Sequence, residues 1–224
     1  MKKALLIIVA LLLICGKGAY AQFVNDVQGH PITEISYTDI EGDPYLLNKW
    51  TSGTIVLSNN KSFSATLKLD TYGNRLLYRG ENGETMEFEN KLTSFTLPLT
   101  GNEVSDIKPI VFVNNIPPVD NQTENSWYQL IADGKVKLLK YYGKQLMETK
   151  AFNSATTTKS FTDYQVYYIF RDNQLIKVSL NKKSLVKALA GHIADAESYL
   201  KTNNLNLKSD AGLQKFFVWY NSLN

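Results

Sequence analysis

A chain of 224 residues with 24 Lys and Arg against 21 Asp and Glu is close to neutral, and its small excess sits in the first 21 residues, where Lys2, Lys3 and Lys17 stand without an acid. Beyond them 21 basic residues (24 − 3) meet 21 acidic ones, which excludes the electrostatic footprint that nucleic acid or an anionic membrane requires. The one cysteine, Cys15, lies in the same leading stretch, so a disulfide scaffold, a thiolate metal site and a cysteine nucleophile are excluded from the remainder.

Lys2 and Lys3 precede an apolar run over residues 4–14, and Ala19-Tyr20-Ala21 follows it with the small-x-small spacing of a signal peptidase site. The reading is a signal peptide over 1–21, cut between Ala21 and Gln22. The run falls short of the roughly 20 apolar residues of a spanning helix, so no transmembrane segment is expected in the mature chain. Lipid attachment at Cys15 would call for a small residue before it, and Ile14 stands there. The expected address is periplasmic, outer-membrane-associated or extracellular. Residues 22–224 are long enough to form one domain around a core, since a chain of this size buries roughly 70% of its extended surface.

In chain order, residues 32–40 alternate as a strand that ends in the turn Glu41-Gly42-Asp43-Pro44. From 53 to 97 an antiparallel meander of about five strands is expected. Phe63, Ala65, Leu67 and Leu69 alternate with polar residues, and turns fall at 58–61, at 72–74 and at Asn82-Gly83. Residues 110–113 make a short strand that Pro117-Pro118 stops, and 119–125 read as an exposed loop. These residues, 22–118, form the N-terminal meander part. Over 119–224, Asp133-Gly134 is expected to turn a two-residue hairpin and Gly143 to break its second strand. A mobile loop is expected over 153–159. Tyr164, Val166, Tyr168 and Phe170 then share one face of a strand paired across Asp172-Asn173. The period changes after Asn181. Ser184 is expected to cap a short helix, a second runs over 192–202, and Ser209 caps a third whose Leu213, Phe216, Phe217 and Tyr220 make an aromatic core seam. The fold class is α+β and β-rich: an antiparallel meander sheet, then hairpins, then a C-terminal helical segment.

The segment Gly42-Asp43-Pro44-Tyr45-Leu46 with Trp50 and Gly53, and the tail carrying Tyr199-Leu200-Lys201, Asn204 and Tyr220-Asn221-Ser222, resemble a group of uncharacterised exported proteins of Gram-negative bacteria. The resemblance implies an envelope protein and transfers no activity and no functional residue.

The residues themselves name no reaction. His30 and His192 are the only histidines; neither sits in a Gly-x-Ser-x-Gly or His-Glu-x-x-His context, so no nucleophilic triad, no metal site and no cofactor site is expected. Phosphate loops are absent from the sequence. Carboxylates cluster at Asp39, Glu41 and Asp43 and at Glu81, Glu84, Glu87 and Glu89; the former read as a solvated turn without the spacing of a calcium loop, and Glu87 and Glu89 as the wet face of a strand. A binding or structural module that meets an envelope protein or a small apolar ligand is the favoured reading. A hydrolase using a carboxylate pair is the alternative, and an outer-membrane barrel is disfavoured by short polar-faced strands and terminal helices.

Overall fold

The structure is a computed structural model that describes residues 27–33, 37, 39–98, 109–150, 157–189 and 191–223. The expected signal segment with its expected cut between Ala21 and Gln22, part of the strand expected over 32–40, and residues 153–156 of the expected loop lie outside them.

One sheet runs through the molecule. Its strands are β1 (Gly29–Pro31), β2 (Ile40–Glu41), β3 (Thr51–Leu57), β4 (Ser62–Asp70), β5 (Arg75–Arg79), β6 (Thr85–Phe88), β7 (Leu92–Leu97), β8 (Ile110–Val113), β9 (Tyr128–Ala132), β10 (Lys137–Lys150), β11 (Thr157–Arg171) and β12 (Gln174–Val178). The order is β1-β6-β5-β4-β3-β7-β8-β9-β10-β11-β12, an open path that ends on β1 and β12, with β2 parallel to β11 outside it. The sheet is therefore mixed through a single short pair.

The meander expectation holds for β3 through β6 and again from β7 through β12, but the two runs are joined differently from a plain meander. β7 does not follow β6; it crosses back and pairs with β3, matching Ile55 to Phe95 and Leu57 to Leu92. That register places large apolar side chains together, which the edge of four-residue β6 could not do. The N-terminal strands curl so that Ile55, Leu67, Leu76, Phe95 and Phe112 bury one another.

Other expectations change for local reasons. Residues 29–31 make the first strand among the described residues, which brings His30 into register with Glu87. β10 passes through Gly143 without a break. Its cross-strand partner is Tyr164, and a Cβ at Gly143 would run into the Tyr164 ring, so the glycine seats the ring. β11 begins at Thr157, inside the expected loop. The two-residue turn at Asp133-Gly134 becomes a loop of residues 133–136, because Asn221 plugs it. Val136 N donates to Asn221 Oδ1 at 2.9 Å, and Asn221 Nδ2 donates to the carbonyls of Asp133 and Val136 at 3.2 and 2.8 Å.

Three helices follow: α1 (Lys182–Ala188), α2 (Ile193–Thr202) and α3 (Asp210–Asn221). Asn181, three residues before Ser184, caps α1 by accepting from Ser184 N at 2.9 Å, while Ser184 Oγ accepts from Ser179 N. Ser209 caps α3 as expected, accepting from Gly212 N. Leu213, Phe216, Phe217 and Tyr220 are fully buried against Ile131, Leu138, Ile169 and Val178 of the sheet. On α2, Ala196 and Leu200 are buried while Ile193 is exposed. The opposite face of the same strands, with Tyr128, Leu139 and Tyr168, is covered by Ile116 and by part of the loop expected to be exposed over 119–125, where Val119 packs on this cluster and Gln122 is buried.

Candidate functional site

At one mouth of the curled N-terminal strands, residues from three connections, β4–β5, β6–β7 and both ends of β8–β9, converge on a cleft of about 270 Å³. Its floor is apolar, from Leu76, Phe88, Leu92 and the edge of Trp127. Phe88 is fixed by stacking on Tyr78 with ring centres 4.3 Å apart, and Trp127 by an edge contact with Phe95 at 4.8 Å. The walls are polar. They come from Asn74 and Arg75 after β4, Asn90 and Lys91 after β6, Asn114 after β8, and Asn125 before β9.

The sequence places these groups through turn chemistry. Asp70 Oδ1 accepts from Tyr72 N and Gly73 N at 3.1 and 2.7 Å, folding the β4–β5 turn. Its other oxygen, Oδ2, takes Arg75 Nη2 at 3.1 Å, with Asp70 only 3% exposed. Arg75 is thereby aimed at Glu87, 3.7 Å away. Asn74, at a left-handed φ of 53° that asparagine tolerates, donates to Ser126 Oγ and accepts from Trp127 N, tying this turn to the approach to β9.

The remaining amides are only half used. Asn90 Oδ1 accepts from Gln28 N and Asn114 Oδ1 accepts from Asn115 Nδ2. Among the described residues their Nδ2 groups, the Asn125 side-chain amide and the Lys91 ammonium meet no protein partner. The cleft therefore offers several unspent N–H donors above an aromatic floor, with Glu87 the one carboxylate in its wall.

A second polar cluster lies inside the sheet–helix layer. Lys140 Nζ, 9% exposed, is 3.3 Å from both oxygens of Asp210 at the start of α3 and sits over the rings of Tyr142 and Tyr167 at 4.8 and 5.4 Å. Gln129 Nε2 donates to Asp210 and its Oε1 accepts from the Tyr142 hydroxyl at 2.5 Å. Burial, reinforced by the Asp210 carboxylate, pushes Tyr167 up to about 12, and the same causes in the same order raise Tyr142. Every member has a partner, so the cluster acts as a clamp that holds the α3 N-terminus on β9, β10 and β11. On the other face, burial and then the Asp120 hydrogen bond raise Tyr168, whose hydroxyl lies 3.2 Å from Asp120 and 3.1 Å from Gln122.

Two larger hollows are less well built. A groove of about 510 Å³ follows the outer side of α3 and the loop before it, with Val218 58% exposed. It closes on a ligand from one side only. Another of about 410 Å³ lies between β1 and the β5–β6 turn and is walled by Glu81, Glu84 and Glu89.

The residues weighed from sequence are scattered. His30 pairs with Glu89 at 3.4 Å, and His192 with Asp195 at 3.1 Å on a helix start far along the chain. Asp43 accepts from Tyr45 N and faces Lys144 at 3.7 Å, the ordinary work of a turn. Among the described residues no group of three or more His, Cys, Asp or Glu is arranged to hold a metal ion. Glu87, read as the wet face of its strand, is the one weighed carboxylate that lines the mouth cleft. The asparagines of the cleft were not singled out. Each stands near a strand end, where asparagine signals a turn, and only the tertiary curl brings the three connections together. No protein-family model matches this chain, and neither a curated protein nor a solved structure shows significant similarity to it.

Proposed function

We propose that this protein is an exported binding module of the cell envelope and that the mouth cleft holds a small, oxygen-rich ligand. The observation that carries the reading is the set of unspent amide and ammonium donors of Asn90, Asn114, Asn125 and Lys91 above Phe88 and Trp127. Convergent polar groups over an apolar floor are the usual construction of a ligand pocket. The donors favour an acceptor-rich molecule over the small apolar ligand that a concave sheet suggests by itself. A glycosidase-type site needs two carboxyl groups flanking the substrate. Here Glu87 faces the cleft, and its neighbour Asp70 is turned inward onto Arg75. A membrane barrel needs a closed strand ladder, whereas this path is open between β1 and β12; no helix among the described residues is long and apolar enough to span a bilayer.

The exported address rests on the Ala19-Tyr20-Ala21 site and on the resemblance to exported envelope proteins. Mass spectrometry of protein from the envelope fraction is expected to find Gln22 as first residue, and a mature chain that retains residues 1–21 would refute it. The cleft is tested by screening polar metabolites and saccharides for changes in the Trp127 indole N–H resonance. The double variant Asn114→Ala, Asn125→Ala is expected to abolish any such response while melting within a few degrees of the parent. A hit whose response survives that variant would place binding elsewhere.

A further inference from the structure

We propose that the ligand class of the mouth cleft is an acidic sugar, a single pyranose ring bearing a carboxylate. The inference rests on the reading of the cleft as a ligand site and sharpens it through size, charge and donor placement. The size limit comes first. About 270 Å³ lies just under the roughly 300–1,000 Å³ typical of drug-sized sites, enough for one ring and too little for an enclosed oligomer.

The two basic residues of the lining differ in what they have left to offer. Arg75 is already committed to buried Asp70 and to Glu87, so it is not free for a ligand anion. Lys91 is exposed and without an ion pair among the described residues, which makes it the cation a ligand can reach. An ammonium with free donors beside it is a point-charge partner for one carboxylate. Asn90, the residue immediately before it, holds its carbonyl oxygen on Gln28 N, which fixes the amide so that its Nδ2 is the atom left for a ligand. These two adjacent residues supply the donors for the acid group.

The rest of the cleft suits the ring. Asn114 Nδ2 and the Asn125 amide can serve hydroxyl or ring oxygens, and Glu87 can accept from a hydroxyl proton. Phe88 and the Trp127 edge offer apolar surface to the C–H face of the pyranose. A bare carboxylate would use Lys91 and leave these groups unpaired, and a neutral sugar would leave Lys91 without a counter-charge. Only the combination uses both kinds of group.

The experiment is a nuclear magnetic resonance titration of the chain from Gln22 onward with sodium glucuronate, methyl glucoside and sodium acetate, each repeated on Lys91→Gln. Lys91 is exposed, so the variant is expected to fold as the parent does, and its melting curve checks that. Glucuronate is expected to shift the Trp127 indole and Asn114 side-chain signals and to bind at least ten-fold more tightly than methyl glucoside or acetate. Lys91→Gln should remove that advantage and leave the glucoside unchanged. Equal binding of glucuronate and glucoside, insensitive to Lys91→Gln, would overturn the acidic part of the proposal. Acetate matching glucuronate would reduce the site to an anion contact and overturn the sugar part. If none of the three shifts the cleft signals, the acidic-sugar inference falls while the broader reading survives on any other polar compound that shifts them; silence across the whole screen removes the cleft reading itself.

Discussion

Asn221 shows how much one side chain can organise here. From the last turn of α3 it makes three hydrogen bonds into the loop of residues 133–136, two as donor and one as acceptor. Asn221→Ala would leave Val136 N and two carbonyls without their partner, and each orphaned polar group costs roughly 1–3 kcal/mol where water cannot replace it. A loss of about 2 kcal/mol in urea unfolding is expected; an unchanged midpoint would mean that water substitutes freely and that the loop holds itself. Gly53 makes a different demand. A Cβ there would meet the Thr96 carbonyl oxygen on the neighbouring strand and crowd Leu67. Gly53→Ala is expected to cost about 1–3 kcal/mol as overpacking, read from the same melts. The candidate cleft was illegible at this scale for a related reason. Asn74, Asn90, Asn114 and Asn125 each look like backbone punctuation in sequence, and a turn asparagine with one free amide hydrogen looks the same as one whose bonds are all internal.

At the scale of elements, the aromatic seam of α3 is the part that sequence periodicity shows best. Leu213, Phe216, Phe217 and Tyr220 recur at helical spacing and are all fully buried, and Phe216 also lies against Phe217, Trp219 and Tyr199. Phe216→Ala is expected to cost roughly 3–5 kcal/mol, measured by chemical denaturation. A variant as stable as its parent would show that the helix is not held by this seam. Strand identity was legible where apolar and polar residues alternate, as in β4 and β11, even though both faces are covered over Leu67–Asp70 and Tyr167–Ile169. Strand order was not. The return of β7 to β3 depends on matching Ile55 with Phe95 across a sequence gap that no local pattern spans. The continuation of β10 through Gly143 depends likewise on Tyr164, more than twenty residues away. Glycine reads as a break in one dimension and as a seat for a ring in three. The lid over Tyr168 escaped for the same reason: residues 119–125 are polar, yet Gln122 is buried because its amide serves a tyrosine on β11.

The whole molecule is stitched together by tyrosines whose hydroxyls are buried on both faces of the C-terminal strands, and this gives the fold a signature in alkali. Burial pushes Tyr141 up to about 12, and burial followed by the Asp210 carboxylate does the same for Tyr167. An ordinary tyrosine ionises near 10, so between about pH 10 and 12 the folded chain keeps protons that the unfolded chain has released. The sign follows from linkage. Wherever the native state binds more protons than the unfolded state, stability falls as pH rises. The contribution of these two groups is complete below about pH 10 and is lost as pH climbs through about 12. Within that window each such tyrosine should steepen the loss by up to about 1.4 kcal/mol per pH unit. Urea midpoints at pH 9, 10 and 11, with tyrosinate absorbance followed at the same time, check the expectation. The midpoint should hold from 9 to 10 and then fall, with a fraction of the phenols ionising only as the chain unfolds. Complete tyrosine ionisation near pH 10 in a chain whose midpoint has not moved would show that the Tyr141 and Tyr167 hydroxyls are open to water, and the two-faced packing of the sheet would have to be redrawn.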